Sequence, residues 1–94
     1  MSDYRVFKEK AKAQLDEWEA DLDKYRARAK KEEGDSKLEL EKKIRELESK
    51  LEEGKTKYEE LKNAGEEGWG TIKEGAENAW DDLSTAFKEA KSKF

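Results

Sequence analysis

The chain of 94 residues contains no cysteine, no histidine and no proline. Without cysteine there is no disulfide, zinc–thiolate site or thiol nucleophile, and without histidine the commonest general base and transition-metal ligand is missing. No apolar run approaches the roughly 18–20 residues that a transmembrane helix needs, and the first residues lack the apolar core of a secretory signal. We therefore predict a cytoplasmic protein that uses no metal and no cofactor.

Charged side chains make up 49% of the chain, with 21 basic and 25 acidic residues and a net charge of −4. The two signs are interspersed and no basic tail is present, so we expect no nucleic-acid partner. A hydrophobic content of only 33% is typical of disordered chains. Periodic apolar residues and 10% aromatics favour long helices and coiled coils instead. We expect one helical domain over residues 1–94.

The first segment predicts a helix over residues 3–33. Its apolar residues recur at steps of three and four, which places them on one helical face: Tyr4, Phe7, Ala11, Leu15, Trp18, Leu22, Tyr25 and Ala29. A flanking row with a seven-residue period is expected to widen this face with mostly small side chains, so that a second helix can approach closely: Val6, Ala13, Ala20 and Ala27.

The clearest break in the helical pattern is Gly34-Asp35-Ser36. Glycine suits the position just after a helix because it tolerates a positive φ. Ser36 and Glu39 have the spacing of a capping box, which predicts that the next helix begins at 36. The basic run at 26–31 precedes the break, where it complements the helix dipole, so it needs no nucleic acid to explain it.

The second segment predicts a helix over residues 36–63. A heptad seam runs along it, which indicates supercoiled packing against a partner helix: Leu40, Ile44, Leu47, Leu51, Gly54, Tyr58 and Leu61. Gly54 occupies a position in this seam, where we interpret it as a close-packing point or a weak spot.

The third segment predicts a helix over residues 66–93 with an eleven-residue period, in which Trp69 recurs as Trp80 and Ala76 as Phe87. The glycine-rich stretch 63–70 leaves two structures open. A turn there, with Thr71 and Glu74 as a new capping box, gives an all-α antiparallel coiled-coil or three-helix bundle. A helix that runs through gives a two-helix hairpin whose very long second helix would dimerise.

We predict a core of aromatic and aliphatic residues from all three segments: Phe7, Leu15, Trp18, Leu22, Tyr25, Ile44, Leu47, Leu51, Leu61, Trp69, Ile72, Trp80, Leu83 and Phe87. The stripe of the third segment is also a possible interaction face: Trp69, Ile72, Ala76, Trp80, Leu83, Phe87 and Phe94. Packed on the aromatics of the first segment, it would be internal. Left uncovered, it would bind a second subunit or a membrane surface.

No catalytic residue is predicted. Paired carboxylates occur on predicted polar faces among lysines, whereas acid–base catalysis needs a desolvated carboxyl with a raised pKa: Glu32/Glu33, Glu52/Glu53 and Asp81/Asp82. Residues 65–70 lack the Lys-Ser/Thr of a phosphate-binding loop. We therefore expect a protein that is not an enzyme.

Three stretches resemble a family of small bacterial coiled-coil stress-response proteins of the cyanobacterial and proteobacterial type. They are AQLDEW at 13–18 continuing to LDK at 22–24, YEELK at 58–62, and GW at 68–69 with AWDDL at 79–83. The chain departs from that pattern at Gly34–Ser36 and in its extra glycines. The resemblance implies a soluble helical protein without enzymatic activity and supplies no catalytic residues.

These observations predict a non-enzymatic, soluble helical coiled-coil protein, associated with stress, that acts through protein–protein interaction or self-assembly. Its partner would be itself, as a homo-oligomer, or another protein. The alternative is an amphipathic protein that binds a membrane surface through residues 69–94.

Overall fold

The computed structural model describes residues 3–94 and is all-α. Two helices, α1 (Asp3–Lys30) and α2 (Gly34–Lys93), pack antiparallel as a helical hairpin. Helix α1 ends before the predicted residue 33 because the amides of Lys31 and Glu32 donate to carbonyls only three residues back, in the tighter turn that commonly closes a helix.

The connection between α1 and α2 turns on Gly34, whose φ is +65°, as its predicted role after a helix requires. The capping box at Ser36 is wrong. Residue Glu33 caps α2 with its backbone extended and makes no side-chain cap hydrogen bond. Because the helix already resumes at Gly34, Ser36 is left inside the first turn.

Helix α2 is interrupted at Gly65, where φ is 64° and ψ is −173°. A straight helix of 60 residues would be about 90 Å long, whereas the longest dimension of the molecule is 51 Å. Across the bend, Lys50 Nζ lies 2.7 Å from Asp82 Oδ2. Helix α2 therefore folds back on itself, and we call residues 34–64 its first arm and residues 66–93 its second arm. Thr71 lies within the second arm rather than at its start.

The first arm runs antiparallel both to α1 and to the second arm, so α1 and the second arm are parallel neighbours. Tyr4 contacts Trp69 at one end of the molecule, with ring centroids 5.9 Å apart. Tyr25 stacks on Phe94 at the opposite end, at 4.2 Å. We call these the Gly65 end and the Gly34 end.

The core lies between the three segments, and the predicted core residues are buried except Phe7 and Ile72, which are half-buried. Five further residues with apolar side chains are also buried: Tyr4, Ala11, Ala29, Ala76 and Ala90. The predicted flanking row is wrong, because Val6 is 47% exposed and the three alanines are exposed too. That row occupies the heptad position pointing away from both neighbouring segments.

Gly54 is buried where α1 and both arms come together. A Cβ at this position would lie 2.7 Å from Leu83 Cδ1 and 3.3 Å from Leu15 Cδ2. The absence of a side chain therefore allows the first arm to approach both neighbours, and the interpretation of Gly54 as a close-packing point is confirmed.

Candidate interaction surface

The possible interaction face of the third segment lies inside the folded chain. Five of its residues are buried, namely Trp69, Ala76, Trp80, Leu83 and Phe87. Ile72 and Phe94 are half-buried. The second arm turns this stripe toward α1 and the first arm, so a partner could reach it only if the arm moved away.

Aromatic side chains of α1 cover the stripe directly. Phe7 lies 5.1 Å from Trp69 and 5.8 Å from Trp80, measured between ring centroids. Trp18 stacks on Phe87 at 5.3 Å with an interplanar angle of 14°. Offset and edge-on aromatic pairs at such distances add to the free energy of simple burial. The interpretation in which the stripe packs on the first segment is confirmed.

Trp80 is the buried polar group that stands out in this core. Its indole Nε1 is enclosed and has no hydrogen-bond partner in the part of the chain that the structure describes. The ring lines a cleft between α1 and the second arm, beside Lys10, Gln14 and Ser84. An unpaired buried donor costs stability, so the position of Trp80 is held by its aromatic contacts rather than by its N–H group.

The paired carboxylates lie on the outside of the molecule. Both members of the pairs at 52–53 and 81–82 are exposed, and Asp82 forms an ion pair with Lys50. Within residues 3–94, no group of three or more acidic side chains could hold a metal ion. None of the helices described has a stretch both long enough and apolar enough to cross a bilayer.

Ion pairs connect the first arm to α1 and to the second arm. Arg26 binds Glu48 at 2.8 Å and Lys55 binds Glu19 at 3.2 Å, both between α1 and the first arm. Between the two arms, Lys50 Nζ donates a hydrogen bond to Asp82 Oδ2, and this bond raises the pKa of Lys50. Such exposed pairs contribute roughly 0–1 kcal/mol each, so they set the register of the segments more than their stability.

The third groove, between α1 and the second arm, carries two rows of polar side chains. The α1 row follows heptad steps from the cleft residues Lys10 and Gln14: Lys10, Gln14, Glu17, Asp21, Lys24, Arg28 and Lys31. The row of the second arm starts from the same cleft: Glu77, Asp81, Ser84, Lys88 and Lys91. Arg28 confirms the direction of its row, because its Nη1 donates to the backbone oxygen of Phe94.

Charges of opposite sign lie across much of this groove, and we call the two rows together the charged groove. The stacks of Trp18 on Phe87 and of Tyr25 on Phe94 set the register between α1 and the second arm, which places Lys91 level with Asp21. Lys10 lies beside Glu77 and Asp81 in the cleft. An ion pair between α1 and the second arm, Lys73 with Asp3 at 3.5 Å, lies outside these rows.

The charged groove cannot be read from the pattern of any one segment. Its members share a surface only because α1 and the second arm are parallel neighbours, which places two basic helix C-termini at the same end. The sequence does place lysines in the last turn of each helix. On a single helix, however, a favourable interaction with the helix dipole is enough to account for them.

The comparisons with known proteins add no relative. No family model matches the chain, and neither the curated proteins nor the solved structures give a match. The resemblance to bacterial stress-response proteins therefore stays a prediction, and the arguments about function rest on the geometry of the chain itself.

Proposed function

We propose that the chain works as a three-helix bundle and is a non-enzymatic, cytoplasmic interaction module of the stress-associated kind. In this proposal its charged outer surface contacts other protein surfaces. The observation that carries it is the arrangement of the three apolar stripes, which face one another and leave a charged exterior.

Recognition by such an exterior is mainly electrostatic. Complementary charges steer association and select partners more than they add raw affinity. With the tryptophans internal, the apolar anchors that usually dominate tight interfaces are not offered at the surface. The proposal therefore implies moderate, salt-sensitive binding rather than a tight permanent complex.

The absence of catalysis in this proposal follows from the setting of the carboxylates. General acid–base chemistry needs a carboxyl group removed from water, so that its pKa rises toward the working pH. The carboxylates at 52–53 and 81–82 are exposed, and Asp82 already binds Lys50 at 2.7 Å. This setting supports a role in binding.

Amine-reactive cross-linking in cells that express the chain, followed by mass spectrometry, tests the proposal. We expect discrete adducts, with the chain itself or with another protein, joined through exposed lysines. Purified partners should reproduce them at low salt and lose them at high salt. A Leu22→Asp variant, which buries a charge in the core and unfolds the bundle, is the control. Adducts that also form with this variant, or no adducts at all, would contradict the proposal.

A second candidate is binding to a membrane surface through residues 69–94. One feature favours it: the apolar stripe of the second arm is continuous from Trp69 to Phe94, and the arm is joined to the rest by the single non-helical residue Gly65. Once released, the arm would be an amphipathic helix with aromatic residues on one side. Its net charge of −3 over residues 66–94 opposes binding to anionic lipids.

Flotation with neutral and with anionic vesicles separates this candidate from the first. Co-flotation with both kinds, accompanied by a change in tryptophan fluorescence, would support release of the second arm onto lipid. A chain that stays in the vesicle-free fraction in both cases removes the membrane candidate and leaves the protein-interaction proposal in place.

A further inference from the structure

We propose that two copies of the chain exchange their second arms, with α2 straightened at Gly65 in each copy. In the exchanged dimer, each second arm packs on α1 and the first arm of the other copy. The partner is thus a second copy of this chain, and the binding surface is the apolar stripe of the second arm. This inference goes beyond the proposed function, because it concerns a second assembled form of the bundle and not a contact of its charged exterior.

The directions of the segments allow this exchange. A straight α2 places its two arms on opposite sides of Gly65, and two such helices can lie antiparallel about a two-fold axis near that residue. The second arm of one copy then runs antiparallel to the first arm of the other copy and parallel to its α1. The single chain has the same directions, so the same three-helix packing is built twice, once at each end of the dimer.

The contacts of the second arm away from the bend have equivalents between the two copies. The stack of Trp18 on Phe87 would join α1 of one copy to the second arm of the other. The ion pair of Lys50 with Asp82 would join the two arms in the same way. Contacts between α1 and the first arm stay within each chain. The two forms therefore share one core and differ in the residues around the bend.

The change of backbone conformation that the exchange requires is confined to one residue. Gly65, with φ 64° and ψ −173°, is the non-helical position inside α2, and the residues on both sides of it are already helical. A glycine adopts both this conformation and the helical one. Backbone groups that two helix ends leave without helical partners become paired when the helix is continuous, which offsets the loss of the bend.

Gly68 shows that the bent form is crowded next to the turn. A Cβ at Gly68 would lie 2.9 Å from the Cβ of Ala64. On a straight helix, residues four apart have Cβ atoms about 5–6 Å apart, so the close approach belongs to the bend. The bent form thus needs glycine at both 65 and 68, and the straight form needs it at neither.

A second copy suits the released stripe better than a lipid surface does. In the folded chain, Trp18 stacks on Phe87 with an interplanar angle of 14°, and another copy offers the same ring in the same place. A lipid surface would take up the apolar side chains without these ring contacts. It would also meet the net charge of −3 over residues 66–94, which opposes anionic lipids.

Chain concentration decides between the two forms, because both contain the same core. Within one chain the second arm is tethered, and a short connection gives an effective concentration in the millimolar range. A second copy competes with this tether only when its own concentration approaches that range. Once formed, the exchanged dimer returns to monomers only if the aromatic core opens, so we expect it to persist after dilution.

Refolding at two concentrations gives the first test. The chain is unfolded in guanidinium and refolded at about 10 μM or about 1 mM, and both samples are then diluted equally for light scattering with size-exclusion chromatography. We expect the monomer mass of 11.0 kDa after dilute refolding and a lasting species of twice that mass after concentrated refolding. Small-angle scattering should give this dimer a length of at least about 90 Å. Monomer alone from the 1 mM sample, or a dimer that dissociates at once on dilution, would overturn the proposal.

The variant Gly68→Ala tests the role of the bend. Its Cβ overlaps Ala64 in the bent form alone, so it should raise the dimerisation constant at least about tenfold, because both chains of the dimer escape the overlap. Gly70→Ala is the matched control, since a Cβ there has open space around it and the gain in helix propensity is the same. Equal dimerisation of the two variants contradicts the proposal, and circular dichroism verifies that both remain helical.

The ion pair of Lys50 with Asp82 identifies the exchanged contact directly. Lys50→Glu and Asp82→Lys each place like charges together in the bent monomer. When the two variants are refolded together, opposite charges meet at both sites only in an exchanged heterodimer. We expect the mixture to yield about fivefold more dimer than either variant alone. The control Lys50→Glu/Asp82→Lys restores the pair within one chain and should behave like the unmodified protein. A mixture with no excess of dimer contradicts the exchange.

The failure of this inference is distinguishable from failure of the proposed function. Exchange buries the same apolar stripe in both forms and does not depend on salt, whereas recognition through the charged exterior does. If refolding gives monomers alone but cross-linking in cells still captures salt-sensitive partners, the exchange is wrong and the proposed function stands.

Discussion

The two chain reversals each use a glycine with a positive φ, in different settings. Gly34 has a φ of +65° and follows residues 31–33, which are not helical. Gly65 has a φ of 64° and stands between helical residues on both sides. At the Gly34 end a loop separates two helices. At the Gly65 end there is no loop. The backbone conformation of Gly65 alone decides whether α2 folds back or continues as a straight helix.

The two ends are also held differently. At the Gly65 end, the Tyr4 hydroxyl donates to the backbone oxygen of Leu61 at 3.0 Å, one of the last carbonyls of the first arm, which a helix cannot pair internally. Trp69 packs on Tyr4 and Phe7 there. The Gly34 end has the stack of Tyr25 on half-buried Phe94. The reversal at Gly65, which uses a single residue, is therefore held by more buried contacts than the reversal at Gly34.

The largest expected effect is that of Trp69→Ala. This substitution removes a buried ring from the contacts that hold the Gly65 end closed, and we expect a loss of about 3–5 kcal/mol of unfolding free energy. Phe94→Ala, at the more open Gly34 end, should cost clearly less. Urea unfolding followed by circular dichroism measures both. Equal losses would contradict the difference between the ends.

The next effect is that of Gly65→Ala. A backbone with φ 64° and ψ −173° is essentially confined to glycine and costs an alanine about 1–3 kcal/mol. Here the strain is relieved if the helix continues straight. We expect a particle longer than 51 Å and a concentration-dependent mass. Small-angle scattering and light scattering measure these quantities.

Two glycine variants serve as controls for Gly65→Ala. Gly34→Ala is also strained by its positive φ, but residues 31–33 are not helical and give it no straight alternative, so it should lose stability without elongation. Gly75→Ala has open space around its Cβ and should gain up to about 1 kcal/mol. Elongation of Gly34→Ala to the same extent would show that the two reversals do not differ.

A smaller effect is expected for Tyr4→Phe. It removes the hydrogen bond to Leu61 and leaves a buried carbonyl unpaired, at a cost of about 1–3 kcal/mol. Tyr25→Phe is the matched change at the other end, where the hydroxyl makes no hydrogen bond with the described residues; it should stay within about 0.5 kcal/mol of the unmodified chain. Chemical unfolding compares them. A larger loss of unfolding free energy for Tyr25→Phe than for Tyr4→Phe would contradict this prediction.

The smallest expected effect concerns the ionisation of Tyr25. Burial raises its pKa above the ordinary value of 10.0, and the nearby Asp21 adds to the shift. Because the folded chain holds this proton more tightly, the stabilisation is complete below pH 10.0 and is lost as the pH rises through the folded pKa. Carbon NMR of the tyrosine rings follows the titration. Asp21→Asn should lower the midpoint slightly, and a Tyr25 midpoint at or below 10.0 contradicts the prediction.

The inward faces of the helices could be predicted from the sequence, because helical period is a local property. Trp18, Trp80 and Leu47 were assigned to the core from their spacing, and the structure buries all three. The positions of the helix ends were harder to predict from the sequence. Glycines at 65, 68 and 70 were equivalent candidates for the bend, and packing decided among them. With the bend at Gly65, a Cβ on Gly68 would lie 2.9 Å from that of Ala64.

The candidate surface could not be predicted from the sequence, because the pattern of one segment does not show which segments become neighbours. Lys24 and Lys88 are 64 positions apart in the chain, and they border one groove only because the second arm returns parallel to α1. Charge on a single helix predicts solvent exposure. Which charges then share a face is decided by the order in which the segments pack.

The parallel placement of α1 and the second arm also sets an order of events during synthesis. The chain emerges from its N-terminus, so α1 and the first arm can pair while the second arm is still missing. Until then, the aromatic side of α1 around Trp18 lies uncovered and is open to chaperones. The contacts that close it join residues more than 60 positions apart, as Trp18 and Phe87 do, and long loops of this kind close late in folding. The second arm, which is made after α1 and the first arm, therefore completes the core, and a nascent chain that stops before Phe87 leaves its most aromatic surface exposed.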